Sequence, residues 1–341
     1  VIELSGYVFE TLRQDEEFVL QRGQSDRDLS TILVVASASD HPVPAILERL
    51  EHEYSLRGEL NSDWAARPLT LVRRENRPVL ILEDVGGEPM DRLLGPARNA
   101  SAAADTGGQP TELNRFLRFA VGLATALGKL HQRGLIHKDI KPANILVNSA
   151  SGAVWLTGFG IASRLPRERQ AAEPPEMIAG TLAYMAPEQT GRMNRSIDSR
   201  SDLYSLGVTF YQMLTGSLPF TASDPMEWVH CHVARQPVTP DQYAKEVPAP
   251  LSAIVMKLLA KTAEERYQTA AGVAGDLRHC LTEWEAQRHI APFQLGANDL
   301  SDRLLIPEKL YGREREIEAL LASFDRVVTD GTPELVLVSG Y

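Results

Sequence analysis

The run His137-Lys138-Asp139-Ile140-Lys141-Pro142-Ala143-Asn144-Ile145-Leu146 constrains this chain more than any other stretch. An acid alone in a loop is commonplace. Here the acid is followed two residues later by a cation and five residues later by an amide side chain, just before two apolar residues. Several spaced residues have to agree for such a pattern to arise. Fourteen residues past Asn144 comes Gly158-Phe159-Gly160.

The chain has 341 residues, enough for one large two-lobed domain and part of another. Apolar residues make up 43% and charged residues 23%, ordinary values for a folded globular chain. The net charge of −10 argues against nucleic acid or an anionic membrane as partner, because both demand a basic face. No apolar run reaches the roughly 20 residues needed to span a bilayer. Val1 to Phe9 lacks a basic start and an apolar core, so nothing reads as a secretion signal. Cys231 and Cys280 lack metal-binding spacing and read as reduced, partly buried thiols, with the cytoplasm as the default location.

Residues 1–85 are strand-rich. Runs at 7–11, 18–21 and 31–36 are followed by a helical pattern over 44–60, with Ile46, Leu47, Leu50 and Tyr54 on one face, and then by strands at 69–73 and 78–82. Beyond Asp91 the pattern turns helical. A mobile surface loop is expected over 99–110, where Ala, Gly and Ser dominate. Helices are expected over 111–132, 201–215, 224–235, 250–259 and 270–287. His230, Cys231 and His232 point to different faces of their helix and read as ordinary helix residues.

The run from His137 to Leu146 resembles the catalytic loop of Ser/Thr protein kinases. The resemblance implies that Asp139 accepts the substrate hydroxyl's proton, that Lys141 lies near the transferring phosphate, and that Asn144 ligates a magnesium ion. ATP and magnesium are the cofactors it implies, with the hinge backbone at Glu83 and Val85 as the nucleotide contact. Downstream, the run from Gly180 to Glu188 looks like the end of an activation segment, with Thr181 near Asp139 and Glu188 paired with Arg266. Ser201 to Gly207 resembles the start of the family's buried central helix, where Asp202 accepts backbone N–H bonds from the catalytic loop. The resemblance covers roughly residues 5–285 and implies an α+β, bilobal fold: a small lobe over 1–85 and a helical lobe over 86–288.

Three departures from the family cluster on the nucleotide. Leu12, Gln14 and Glu17 stand where the glycine-rich loop has its glycines, and three consecutive acids, Asp15 to Glu17, are expected to face the phosphates. The strand Thr31 to Ser37 carries no lysine, and the first lysine of the chain is Lys129. Without that partner, Glu53 reads as a solvated helix acid. Gly158 replaces the metal-binding Asp, which leaves Asn144 as a weak neutral ligand.

These losses lead to the expectation of a degenerate signalling module, with ATP and magnesium bound weakly or not at all and phosphotransfer weak or absent. The alternative is an active Ser/Thr kinase using Asp139, Lys141 and Asn144.

After a linker over 289–309, the run Leu310 to Glu316 and the strand Leu335 to Val338 look like the entrance of an AAA-type signalling ATPase. The missing initial Met and the ending at Tyr341 read as a fragment, residues 310–341 being the truncated start of that domain. The combination resembles bacterial multidomain regulators that also carry sensor histidine-kinase modules. Partners are then other domains of the same polypeptide and signalling proteins.

Overall fold

Alternating apolar residues build one antiparallel sheet from β1 (Tyr7–Gln14), β2 (Phe18–Ser25), β3 (Thr31–Ser37), β4 (Pro68–Arg74) and β5 (Arg77–Glu83), in the spatial order β1-β2-β3-β5-β4. The computed structural model describes residues 4–74, 77–95, 110–164, 181–193 and 195–300, with isolated positions between 319 and 337. Ile32, Val34, Val79 and Ile81 pack on one face of the sheet, and Leu33, Val35, Leu80 and Leu82 on the other. Burial on both faces explains why β3 reads as an unbroken apolar run.

The second face is covered by α1 (Pro44–Ser55), which begins with proline, whose fixed φ suits a first turn. The helix expected to run to Leu60 stops at Ser55. Leu56 N–H bonds back to the Glu53 carbonyl at 3.1 Å, and Leu56 and Leu60 are buried from within a turn.

The other lobe opens with β6 (Glu88–Pro89) and α2 (Met90–Leu94). Next comes α3 (Leu113–Gln132), capped by the Glu112 carboxylate, which accepts from the Asn114 and Arg115 amides at 3.0 Å. β7 (Ile145–Val147) and β8 (Val154–Leu156) join β6 in a small sheet that fixes both ends of the loop segments considered below. The remaining helices are α4 (Ser199–Thr215), α5 (Pro225–Val233), α6 (Pro240–Tyr243), α7 (Ala249–Leu258) and α8 (Ala270–Gln287). α4 is buried from Arg200 to Thr215, so it shows no apolar stripe; its Thr209 and Thr215 hydroxyls donate to carbonyls four residues back.

The result is a two-lobed fold, a five-stranded sheet followed by a helical lobe. Residues 290–299, expected as linker, pack against the helical lobe. Ile290 is buried there, and the Asp299 carboxylate accepts from the Gln268 and Thr269 amides. From Asp302 the chain forms a separate unit. The ATPase elements expected over 310–341 fall almost wholly outside the described residues, and nothing in the described ones supports them. The loop expected over 99–110 also lies outside, Pro110 excepted. No helix among the described residues is long and apolar enough to cross a membrane.

Candidate active site

The loop leading into β7 is held by one carboxylate. Asp202, fully buried in the first turn of α4, accepts the His137 and Lys138 amides at 2.8 Å each and faces His131 Nε2 at 2.9 Å. Lys138 sits at φ +67°, a left-handed conformation that costs a side-chain-bearing residue of order 1–3 kcal/mol. Charge-assisted bonds to Asp202 offset that cost. The loop then presents Asp139, Lys141 and Asn144 together.

Asp139 Oδ2 lies 2.9 Å from Lys141 Nζ and accepts from Asn144 Nδ2 at 2.8 Å, while Oδ1 accepts the Thr181 amide at 3.2 Å. Lys141 Nζ also donates to Thr181 Oγ1 at 2.5 Å. Burial alone would raise the Asp139 carboxyl. The Lys141 ammonium outweighs it and holds the group below the ordinary carboxylate value.

Opposite this loop the cleft is lined by Arg13, Asp15, Glu17, Arg49, Glu53 and Gly158. A β-bulge brings Arg13 there. Thr11 pairs with Gln21 and Arg13 with Leu20, so Leu12 is the extra residue, and both Leu12 and Arg13 share the inner face with Leu20. Arg13 Nη1 donates to Asn144 Oδ1 at 2.9 Å and to the Ala143 carbonyl.

The acids of the turn are not the unopposed row that the sequence suggests. Asp15 Oδ1 accepts the Glu17 and Phe18 amides at 2.9 and 2.7 Å, and Glu17 pairs with Arg49 at 2.7 Å. Two arginines therefore supply cations that β3 lacks.

Glu53 departs from expectation. It lies on the same face of α1 as Leu50 and is only 4% exposed, not solvated. Its Oε1 has no hydrogen-bond partner among the described residues. Burial pushes the carboxyl up to about 7 from 4.5, against the pull of the Phe159 and Gly158 amides and Arg13.

The pH dependence follows. Between pH 4.5 and about 7 the unfolded chain releases this proton while the folded chain keeps it, so stability falls as pH rises through that window. At about 1.4 kcal/mol per pH unit the loss amounts to about 3 kcal/mol. Glu53→Gln should remove most of that slope, read as urea stability at pH 5 and pH 8. An unchanged slope would exclude Glu53 as its source.

The hinge follows β5. Glu83 N–H donates to the Arg67 carbonyl at 2.9 Å, and the Glu83 side chain accepts from Ser62. Farther from the cleft, Arg266 makes two bonds to Glu188, at 2.7 and 2.9 Å, both side chains being buried.

Residues 34–276 match the protein kinase domain family. This chain belongs to that family. The serine/threonine-protein kinase PknB of Mycobacterium tuberculosis H37Rv is 40% identical over 168 residues, 49% of this chain and 26% of the relative. PknB of Mycobacterium leprae is 38% identical over 223 residues, 65% of this chain and 35% of the relative. Hybrid signal transduction histidine kinase G of Dictyostelium discoideum is 29% identical over 316 residues, 67% of this chain but 9% of the relative. The chain thus matches about a quarter to a third of the length of these PknB relatives.

These relatives overturn the expectation of a degenerate module. Similarity at this level to several serine/threonine-protein kinases supports a catalytically competent kinase domain. An arginine can stand in for the missing lysine from another element; β3 offers none, but β1 and α1 bring Arg13 and Arg49 to the cleft. Bulges leave no mark in composition, so nothing in the sequence marks Arg13 as facing the cleft. Arg49 had a weak signal, standing next to Leu50 on a helix known to face the sheet.

Membership implies the family's capacity for ATP and magnesium. The donor set in this chain does not itself fit a resident magnesium, which takes oxygens in near-octahedral array. Asn144 Oδ1 already accepts from Arg13, Glu17 is paired with Arg49, and Gly158 offers no oxygen from a side chain. A Cβ at Gly158 would stand 2.7 Å from Asn144 Oδ1, so Asn144 fills the space a side chain there would need. Among the described residues no group of three or more His, Cys, Asp or Glu is placed to hold a metal.

Proposed function

We propose that this kinase domain transfers the γ-phosphoryl group of ATP to serine and threonine hydroxyls of protein substrates. The observation that carries the proposal is the Asp139 carboxylate, held between the Lys141 ammonium and the Asn144 amide in a chain whose relatives are named serine/threonine-protein kinases. In the reaction the hydroxyl oxygen forms a bond to the γ-phosphorus, the bond from that phosphorus to the β–γ bridging oxygen breaks, and ADP leaves. Asp139 takes the hydroxyl proton, and its low pKa keeps it ionised and ready to orient that hydroxyl. Lys141 faces the transferring group as a cation, and Asn144 keeps the Asp139 carboxylate turned toward the substrate. The Glu83 carbonyl and the Val85 N–H are the backbone groups we assign to the adenine edge.

The wider setting is a cytoplasmic signalling polypeptide whose partners are its own further domains and other signalling proteins. The motif Leu310 to Glu316 and the printed name of the Dictyostelium relative are what support neighbouring ATPase and histidine-kinase modules.

The test is transfer of label from γ-labelled ATP to a protein acceptor, followed by phosphoamino-acid analysis. Label on serine or threonine is expected. A folded chain that leaves the acceptor at background would sink the proposal.

A further inference from the structure

The arrangement around Asn144 points to an unusual way of meeting the triphosphate. In the family resemblance this amide oxygen faces a divalent cation; here it faces the Arg13 guanidinium at 2.9 Å. Arg13 is 12% exposed at its side chain, and its Nε–H is buried without an acceptor among the described residues. An arginine so placed has donors left over, and an orphaned buried donor is costly unless something accepts from it. Glycine at 158 fits the same picture, because it lets Asn144 stand where it meets Arg13. A guanidinium is permanently charged and presents its N–H groups in a fork that matches phosphate oxygens.

Arg49 adds a second cation whose present partner is replaceable. Glu17 is 47% exposed at its side chain, so it can turn to solvent while Arg49 exchanges a carboxylate for a phosphate. Asp15 Oδ1 accepts from backbone amides of its own turn while its Oδ2 lies 3.5 Å from Arg13 Nη2, so a phosphate reaching Arg13 displaces this 39%-exposed carboxylate as it displaces Glu17 from Arg49.

We infer that Arg13, seated on Asn144 and aided by Arg49, binds the polyphosphate of a nucleoside triphosphate in the stead of a protein-held divalent ion, so that the nucleotide binds without one. The inference rests on the kinase reading for the identity of the nucleotide, and its test separates the two. ATP affinity of the intact chain is measured by calorimetry in excess EDTA and in magnesium, with adenosine as a probe lacking phosphates. Wild-type ATP affinity should agree within about 3-fold between the two conditions, a difference of less than about 0.7 kcal/mol. Arg13→Ala should weaken ATP in EDTA by roughly 10-fold or more while leaving adenosine unchanged. Glu17→Gln should tighten ATP by a few-fold, because it frees Arg49; this variant leaves the buried network intact and covers the case in which Arg13→Ala does not fold.

ATP binding that vanishes in EDTA overturns the inference, as does an Arg13→Ala chain with wild-type ATP affinity. Label transfer together with strictly magnesium-dependent binding removes this inference alone. EDTA-resistant binding without label transfer removes the phosphotransfer reading alone. Absence of ATP binding in both conditions removes both.

Discussion

Asp139→Asn should lower phosphotransfer by about 10²- to 10⁴-fold, the range ordinarily contributed by a positioned general base. The substitution keeps the size and shape of the side chain but removes the charge. It also replaces one acceptor with an NH2 group in a cluster that already holds the donors Lys141 Nζ, Asn144 Nδ2 and the Thr181 amide. Some loss of stability therefore accompanies the loss of rate. The two are separated by measuring label transfer well below the variant's own thermal midpoint, together with ATP affinity. The phosphate-binding arginines sit on β1 and α1, so affinity should move only a few-fold while the rate collapses. Label that persists at the wild-type rate would mean that the transfer comes from a contaminant or another segment, and Asp139 would be a hydrogen-bonding residue of the loop.

What could be read in the string differs from what could not by how local the cause is. The small lobe's strands announce themselves through alternation and β-branched runs, and β3 through an unbroken apolar run between polar turns. The stretch His137 to Asn144 is contiguous, and its internal bonds from Asn144 to Asp139 span only five residues. Arg13 is another matter. Its bond to Asn144 crosses 131 positions and depends on one bulged residue, Leu12, without which strict alternation would turn Arg13 outward. A carboxylate on a helix is usually solvated, so Glu53 reads as a surface acid in the sequence; its position three residues from Leu50 is the contrary clue to its burial. The three departures at the nucleotide site do not by themselves mean loss of function, because charge can be restored to a cleft from any element that borders it.

Arg266→Ala should cost about 3–5 kcal/mol of stability, the loss expected when one partner of a buried ion pair is removed. Arg266 satisfies all its donors: Nε to the Ala260 carbonyl, Nη1 to Glu188 and the Arg200 carbonyl, Nη2 to Glu188 and the Lys261 carbonyl. Its guanidinium also lies over the Tyr204 ring, 5.0 Å from the centroid. Truncation leaves three carbonyls short of a donor and the Glu188 carboxylate with Ser201 Oγ as its remaining side-chain donor. Burial would raise the Glu188 carboxyl, and Arg266 is the main influence holding it down, so the variant's Glu188 should take up a proton nearer neutrality. Domains of this kind are stable by about 5–15 kcal/mol, so the loss removes a large fraction of the whole. Urea denaturation reads it directly. Glu188→Gln should be destabilising too, since it leaves the buried Arg266 guanidinium, which cannot shed its proton, opposite a neutral amide, although the three carbonyl bonds of Arg266 remain. The pair also ties the turn Pro187–Thr190 to the chain just before α8. That turn follows Thr181, whose amide reaches Asp139, so phosphotransfer should fall in Arg266→Ala even under conditions where the variant remains folded. A variant as stable as wild type would mean that water or a rearranged neighbour replaces every one of those bonds, and the buried pair would then be no anchor.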